Sequence, residues 1–370
     1  MKWTCEQQNL MKVLQSVVSV TEKKTTMPIL SNIMLDVKDN TLTVYGTDLE
    51  ISVESSCSVN TELAGKLCTS AHTLIDIVKQ LPNNTVVLEK DDNGWLNITS
   101  GKAHFRVASI DAGEFPQMPR KTDFTFYKVN KDTLLKGIEY TSYAMSTDEV
   151  RANLNGILLE IGPDKNLNMV ATDGHRLSLY KSPLSSEETM QMEKKIILPR
   201  KGIMELKKIL IEGEENNINV SVSPATCVFS NDSNTIFMKL VVGDFPEYNK
   251  VIPQGDRKTV MVQKNDLKES LKRVSLLSEG KSKCVKMQFK PNGLHLSANS
   301  PELGEAEEDI LAEFNGDEMT IGFNARYLLD ALSVVQTDKV KLELDHNQSP
   351  GVVKLPDTDN YVSVIMPMRI

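Results

Sequence analysis

One pattern occurs three times along this 370-residue chain and limits the possible folds more than any other feature. Each copy has an alternating apolar strand, a turn, a second alternating strand and a polar corner that leads into a third strand. This alternation predicts an antiparallel hairpin with a return strand. The corner begins five residues after the first apolar residue of the second strand, which gives the pairs Leu42 and Thr47, Leu167 and Thr172, and Leu294 and Asn299. The chain therefore encodes one structural unit three times.

Six windows with apolar residues at helical spacing flank the hairpins, one before and one after each. They lie at residues 6–20, 70–81, 130–146, 199–211, 264–278 and 324–336. Further alternating strands follow the second window of each copy. The simplest packing places both helices of a unit on one face of a curved antiparallel sheet. We therefore predict an α+β fold of three tandem domains, at residues 1–125, 126–256 and 257–370.

Three such domains in tandem predict an arc with a free sheet edge at each end. Free edges promote aggregation unless another strand pairs with them. A second copy bound head to tail would cover both edges, because a heterologous contact that closes forms a ring. The repeat therefore favours a homodimer.

The charge is distributed unevenly. The six helical windows hold 13 basic and 8 acidic residues, whereas the whole chain has a net charge of −8. If all the helices face one side, that side can contact phosphates without reading bases, which gives weak, salt-sensitive and sequence-independent attraction. The simpler interpretation is that these lysines lie on ordinary solvated helix faces.

Common enzyme signatures are missing, since the sequence has no GxxxxGKS/T, GxGxxG, GxSxG or HExxH motif. The five histidines lack metal-ligand spacing, so no metal or other cofactor is expected. Asp173 and His175 permit an acid–base hypothesis, but the equivalent corners of the other two copies lack the histidine. We interpret this corner as a surface specialised for a partner.

Cellular location is indicated by three negative features. The first residues have no apolar segment of signal-peptide length, and nowhere do about 18 apolar residues run together. The five cysteines are scattered and odd in number, which favours reduced thiols. We expect a cytoplasmic protein without a membrane span.

The chain resembles the bacterial DNA polymerase III β subunit, the β sliding clamp family. The resemblance rests on segments spread from end to end, including TDLE at 47–50, ATDGHRL at 171–177, FPEY at 245–248, IGFN at 321–324 and MPMRI at 366–370. It implies two subunits joined head to tail into a six-domain ring around duplex DNA, with the helices lining the hole. Such a ring has no catalysis of its own and tethers the replicative polymerase for processive synthesis. It also implies an ATP-dependent clamp loader, and other polymerases and repair proteins that bind through short peptide motifs.

The family pattern also implies three sets of site residues. The partner-peptide groove matches Leu154, Thr172, Gly174, His175, Arg176, Leu177, Pro246, Val251, Asn324, Tyr327, Val364, Ile365, Met366, Pro367, Met368 and Arg369. DNA contacts match Lys24, His72, Asp148, Ala152 and Asn153, with neighbouring Arg151 as an added candidate. Ring closure matches Phe105, Leu276 and Leu277, with Lys102 and Arg106 facing an acidic run at Glu302, Glu305, Glu307 and Glu308.

Two competing hypotheses remain beside the clamp. One is a hydrolase that uses Asp173 and His175, and the other is a tandem-repeat binding scaffold that acts as a monomer. The sequence departs from the family pattern at His72, Ala152 and Asn153, where some members have a stronger base or aromatic residues.

Overall fold

The computed structural model describes residues 1–22, 26–82, 84–162, 164–184, 195–278 and 283–370. The first repeat begins with a strand and a helix, continues with the predicted hairpin, and ends in three strands after its second helix. Its elements are β1 (Lys2–Glu6), α1 (Gln7–Val18), β2 (Asn32–Lys38), β3 (Thr41–Thr47), β4 (Ile51–Ser58), β5 (Asn60–Leu63), β6 (Gly65–Ser70), α2 (Ala71–Gln80), β7 (Thr85–Lys90), β8 (Trp95–Ser100) and β9 (Ala103–Ile110).

The second repeat follows the same order. Its elements are β10 (Tyr127–Asn130), α3 (Lys131–Thr141), β11 (Gly156–Ile161), β12 (Asn166–Thr172), β13 (Arg176–Pro183), β14 (Ile196–Pro199), α4 (Arg200–Glu212), β15 (Asn217–Val222), β16 (Thr226–Ser230) and β17 (Asn234–Lys239).

The third repeat ends with the chain. Its elements are β18 (Lys258–Gln263), α5 (Lys264–Val274), β19 (Cys284–Lys290), β20 (Gly293–Ser300), β21 (Gly304–Phe314), β22 (Met319–Asn324), α6 (Ala325–Val334), β23 (Lys339–Leu344), β24 (Gly351–Lys354) and β25 (Tyr361–Ile365). Each helical window contains a helix and each hairpin is antiparallel, so the α+β prediction is confirmed.

Local chemistry fixes these elements. Helix α1 buries Leu10, Val13, Leu14 and Val17, a spacing that places all four on one helical face. The turn between β2 and β3 has Asp39 and Asn40 at φ of 50° and 58°, a left-handed conformation that these two residue types tolerate. Apolar spacing and turn residues therefore account for the first helix and the first reversal of the first repeat.

The corner of the third repeat differs from the prediction. Asn299 and Ser300 belong to β20, and the reversal follows them at residues 301–303. Ser300 pairs with Gly304, whose φ of 107° favours glycine. Because Pro301 cannot donate a ladder hydrogen bond, the strand continues up to it and the chain turns there.

The described residues form two compact units that cut across the repeats. One holds residues 1–132 and 201–240, and the other holds residues 133–184, 195–200 and 241–370. The first contains a 13-stranded sheet in the order β10-β15-β16-β17-β4-β3-β2-β6-β9-β8-β7-β1-β5. The second contains a 12-stranded sheet in the order β14-β11-β12-β13-β25-β24-β23-β18-β21-β20-β19-β22. The middle repeat thus contributes strands to both sheets.

Each sheet continues from one repeat into the next through one strand pair. In the first unit Met238 of β17 pairs with Ile51 of β4, and in the second Arg176 of β13 pairs with Ile365 of β25. Helix α1 packs on α2, and α5 packs on α6, as the two-helix arrangement predicts. The first and second polar corners therefore lie beside the strand pairs that join successive repeats.

Candidate partner-binding groove

The residues matched to the partner groove, here called the candidate groove, all lie in the second compact unit. The second corner, residues 172–176, is held by its own side chains. The Thr172 hydroxyl donates to the carbonyl of Arg176 at 2.6 Å and accepts from the amide of Gly174 at 3.1 Å. Gly174 has a φ of 90°, which a side chain would strain. The corner is therefore a fixed turn whose carbonyls and side chains point in defined directions.

Asp173 completes this turn. One carboxylate oxygen accepts the amides of His175 and Arg176 at 2.9 and 3.1 Å, and the other accepts Arg176 Nε at 3.1 Å. These bonds explain why an aspartate occupies the position. They involve the backbone of His175, not its imidazole, so this geometry gives no support to an Asp173–His175 acid–base pair.

Arg176 is the most constrained side chain of the candidate groove, with 9% of its side chain exposed. Nη1 donates to Asp330 at 2.6 Å and Nη2 to the carbonyl of Tyr143 at 2.7 Å, in addition to the Nε bond. Burial lowers the pKa of the guanidinium, but the hydrogen bond to Asp330 and the charge of Asp173 outweigh it and raise the pKa above its ordinary value. The residue is thus a permanently charged support.

An aromatic wall rests on this support. The guanidinium carbon of Arg176 lies 4.5 Å from the ring centroid of Tyr327 and 5.3 Å from that of Tyr143, both within cation–π range. The rings of His175 and Tyr327 lie nearly parallel with centroids 6.4 Å apart. Asn324 caps α6 by accepting the amide of Arg326 at 2.9 Å, which orients the helix that carries Tyr327.

A buried hydroxyl network lies behind the wall. The Tyr143 hydroxyl is 2.8 Å from the hydroxyls of both Tyr361 and Ser363, and the Tyr361 hydroxyl donates to the carbonyl of Ala331 at 3.1 Å. Burial raises the pKa of Tyr361 well above its ordinary value, so this phenol stays protonated. The network connects the 3-10 turn after α3 with β25 and α6, and it holds the Tyr143 backbone whose carbonyl Arg176 contacts.

The C-terminal segment forms a second wall. The Met366 amide donates to the carbonyl of His175 at 3.0 Å, and the Met368 amide donates to the carbonyl of Gly322 at 2.7 Å. Strand β25 ends at Ile365, before Pro367, as expected from the missing proline amide. Met366, Pro367 and Met368 are half-buried and Arg369 is exposed. Flexible thioether side chains suit a surface that accepts several ligands.

Apolar side chains adjoin both walls through the paired residues Leu177 and Val364, and they are here called the apolar floor. Leu177 and Val364 are buried in one hydrophobic cluster with Phe245 and Tyr248, and Val251 packs against it while partly exposed. Ile365 belongs to the neighbouring cluster of the third repeat, and Pro246 is exposed. Burial, together with a hydrogen bond to Glu160, raises the pKa of Tyr248. The floor is apolar but rimmed by half-exposed side chains, which is the composition of a peptide-anchor site.

The loop at residues 148–154 borders the corner. It contains four of the predicted DNA contacts, of which Asp148, Arg151 and Ala152 are exposed and Asn153 is half-buried. Its last residue, Leu154, is a buried member of the candidate groove. One short loop therefore carries residues of two predicted sites.

The remaining predicted residues lie elsewhere. His72 is half-buried near the start of α2, and Lys24 lies outside the described residues. Phe105 is half-buried on β9, while Leu276, 70% exposed, and half-buried Leu277 form a 3-10 turn after α5.

Two residues that hold the Arg176 side chain in place, Asp330 and Tyr143, were not predicted. Asp330 lies three residues after Tyr327 on the same helical face, a spacing that offers a signal for it. Tyr143 lies in a 3-10 turn after α3, where no helical spacing signals its carbonyl, ring and hydroxyl contacts.

Metal and membrane signatures were sought in the same part of the chain. The described residues contain no group of three or more His, Cys, Asp or Glu side chains arranged to hold a metal ion. None of their helices combines the length and apolar character needed to cross a bilayer.

Comparison with known proteins identifies the family. Models of the N-terminal, central and C-terminal domains of the DNA polymerase III beta subunit match residues 1–119, 128–247 and 249–369. The beta sliding clamps of Pseudomonas aeruginosa and Bacillus subtilis are 34% and 30% identical to this chain, each over 100% of both sequences. The chain belongs to the β sliding clamp family.

Solved structures agree with this membership. The crystal structure of the DNA polymerase sliding clamp from P. aeruginosa has a TM-score of 0.92 at 34% identity, covering 100% of both chains. The DNA polymerase III subunit beta from Bartonella birtlesii, bound to griselimycin, has a TM-score of 0.94 at 32% identity over the same coverage. The predicted fold of three clamp domains is confirmed, and the chain is a DNA sliding clamp. A monomeric scaffold is not favoured. The domain boundaries at residues 125 and 256 stay predictions.

Proposed function

We propose that two copies of this chain close head to tail into a ring around duplex DNA and tether the replicative polymerase through the candidate groove. The observation that carries the proposal is the support of Tyr327 by Arg176 beside an apolar floor. An aromatic side chain fixed on a buried cation needs no reorganisation to receive a ligand, which keeps the entropic cost of binding low. The ring works without catalysis, since encirclement replaces affinity.

The partner ligand is a short peptide with apolar anchors. Leucine and aromatic side chains of the peptide enter the floor beside Leu177 and Val251, while the methionines at positions 366 and 368 adapt to different sequences. The replicative polymerase, the ATP-dependent loader, other polymerases and repair proteins share this site in the proposal. Griselimycin, the ligand of the B. birtlesii relative, serves as a competitor in a test of the same site.

Ring closure is proposed to use two strand edges. Within the described sheets, residues 103–108 of β9 pair with β8 alone, and residues 304–311 of β21 pair with β20 alone. Phe105 lies on the first edge, and exposed Leu276 lies in the 3-10 turn between α5 and β19. The first edge carries Lys102 and Arg106, and the second carries Glu305, Glu307 and Glu308, so opposite charges favour a head-to-tail pairing.

DNA contact is proposed to be weak and non-specific. Basic residues on the helices, together with Lys24 and Arg151, are proposed to attract phosphates and permit sliding. His72, Asp148, Ala152 and Asn153 are proposed to lie near the duplex. The protein is proposed to be cytoplasmic, where the replication machinery acts.

Retention on circular DNA tests encirclement. The clamp is loaded onto a nicked plasmid by a clamp loader with ATP, separated from free protein, and split into two samples. One sample is linearised with a restriction enzyme. Linearised DNA should lose the clamp within minutes, whereas circular DNA should keep it. Equal retention on both forms would contradict topological linkage.

A further inference from the structure

We propose that Arg151 and Asn153 are positioning residues of the candidate groove, a role separate from any contact with DNA. The inference rests on the proposed peptide-binding function. It follows from where these two side chains direct their donors, since Arg151 bonds to the second corner and Asn153 bonds to the segment that leads into the apolar floor.

Arg151 braces the second corner. Its Nη1 donates to the carbonyl of Asp173 at 3.3 Å, and its Nε donates to the Asp148 carboxylate at 3.0 Å. A Cβ built on Gly174 would lie 3.4 Å from Nη1, so the guanidinium packs directly against the corner backbone. Asp173 is the residue that orients the His175 amide and Arg176. Arg151 therefore fixes the outer side of the turn that carries the aromatic wall.

Asn153 braces the segment opposite. Its side-chain amide donates to the carbonyl of Asp244 at 2.7 Å. Gly243, with a φ of 136°, brings the backbone close to Asn153, because a Cβ there would lie 3.4 Å from the Asn153 Cβ. The chain then continues into buried Phe245 and the groove residue Val251. Asn153 therefore fixes where this segment enters the apolar floor.

The loop that carries Arg151 and Asn153 is itself held in place by hydrogen bonds. The Ser146 amide donates to the Leu154 carbonyl at 3.0 Å, which closes the loop at its base. The Asp148 carboxylate accepts the Val150 amide at 3.0 Å, and that bond, with the one from Arg151, lowers the pKa of Asp148. A closed and capped loop can hold the second corner and the segment at Asp244 at a constant separation, whereas a loose loop could not.

Charge-conserving substitution separates the two roles of Arg151. A phosphate contact needs mainly a positive charge, which lysine supplies as well. The brace needs a planar fork that reaches Asp148 and the Asp173 carbonyl together, which a single ammonium cannot reproduce. Arg151→Lys therefore removes the brace and keeps the charge, and Asn153→Ala removes the second brace without changing the charge.

The experiment compares these two variants with Val150→Ala, a matched control in the same loop whose side chain is exposed. The probe is a short synthetic peptide with leucine and phenylalanine anchors and an N-terminal fluorophore, titrated by fluorescence anisotropy. Retention on nicked plasmid and the thermal unfolding midpoint are measured for every protein. Arg151→Lys and Asn153→Ala should each weaken peptide binding about 3- to 10-fold, the effect of one or two net hydrogen bonds. Their unfolding midpoints should match that of the control. The fraction of loaded clamp that stays on the circular plasmid should also match, because encirclement, and not any single phosphate contact, retains the ring.

The possible outcomes are distinct. If the unmodified clamp does not bind the peptide, the proposed function fails. If it binds and both variants bind equally well, the positioning role is overturned while the groove stands. Loss of DNA retention with unchanged peptide affinity would assign the two residues to DNA alone. A parallel fall in peptide affinity and unfolding midpoint would reduce them to general structural residues and also overturn the inference.

Discussion

The first and second corners, residues 47–51 and 172–176, share one backbone design and differ in their surroundings. The Thr47 hydroxyl donates to the carbonyl of Ile51 at 2.9 Å, as Thr172 does to Arg176. Asp48 accepts the amides of Glu50 and Ile51 at 2.9 and 2.7 Å, as Asp173 does one repeat later. Leu49 takes the left-handed position of Gly174, with a φ of 74°.

The strand pairing beside the two corners is also the same. The Lys239 amide donates to the carbonyl of Glu50 at 2.9 Å, and the Met366 amide donates to the carbonyl of His175 at 3.0 Å. Ile51 therefore corresponds to Arg176, and Lys239 corresponds to Met366. The backbone alone cannot explain why the second corner resembles a binding site and the first does not.

Side chains on the adjoining helices make the difference. The third residue of α6 is Tyr327, while the third residue of α4 is Gly202, where a Cβ would lie 2.5 Å from Sδ of Met238. The second residue of α4, Lys201, forms an ion pair with Asp48. The first corner thus lacks an aromatic wall and is covered by a salt bridge. The first corner therefore connects two repeats and is covered, whereas the second corner presents an aromatic surface to a ligand.

The largest effect expected from this comparison is that of Arg176→Ala. The change leaves Asp330 and the Tyr143 carbonyl without their buried donor and removes the support of Tyr327. The Asp330 side chain is 34% exposed, so solvent compensates part of the loss, and the free energy of unfolding should fall by about 1–3 kcal/mol. Peptide affinity should fall at least about 100-fold, which is above the threshold of about 2 kcal/mol that defines a hot spot. Denaturant unfolding and peptide titration measure the two quantities.

Ile51→Ala is the matched control in the first corner. Removing this buried side chain should lower the free energy of unfolding by about 2–5 kcal/mol and leave peptide affinity unchanged. A loss of peptide affinity in this variant would show that the two corners are not independent.

The second expected effect concerns the C-terminal wall. Met366→Ala combined with Met368→Ala should weaken peptide binding by about 2 kcal/mol or more, as expected when anchor contacts are truncated. Both side chains are half-buried, so the unfolding midpoint should change little. Isothermal titration with the anchor peptide tests this. An affinity equal to that of the unmodified protein would show that the groove does not include this wall.

Patterns with a fixed period could be predicted from the sequence, and contacts between distant segments could not. The alternation of Leu35 and Val37 and the helical spacing of Leu10 and Val13 follow from burial on one face, which acts within a few residues. The spacing from Tyr327 places Asp330 on the same face of α6, but its ion pair with Arg176 depends on how α6 packs against β13, which the spacing does not contain. The displaced third corner has a local cause in Pro301, whose effect on strand length is evident once the ladder is known.

The third expected effect is that of Tyr327→Ala. This change removes the ring at the third residue of α6, so that the second corner resembles the first, where the third residue of α4 is Gly202. The ring contributes a half-exposed wall, so its loss should weaken peptide binding about tenfold, less than the loss of its support. Tyr327→Phe should bind nearly as well as the unmodified protein, since cation–π contact with Arg176 does not need the hydroxyl. A larger loss in the phenylalanine variant than in the alanine variant would contradict this account of the wall.

The smallest expected effect is that of Lys201→Ala, which opens the first corner. The Asp48 side chain is 6% exposed and the Lys201 side chain is 40% exposed, so solvent screens the pair and its removal should cost about 1 kcal/mol or less of unfolding free energy. Asp48 keeps both backbone amide donors, which is why the corner should survive the loss of its cation. A peptide that binds only at the second corner should show one site per chain before and after the change. A second binding event after Lys201 is removed would mean that the ion pair alone, and not the missing aromatic wall, prevents peptide binding at the first corner.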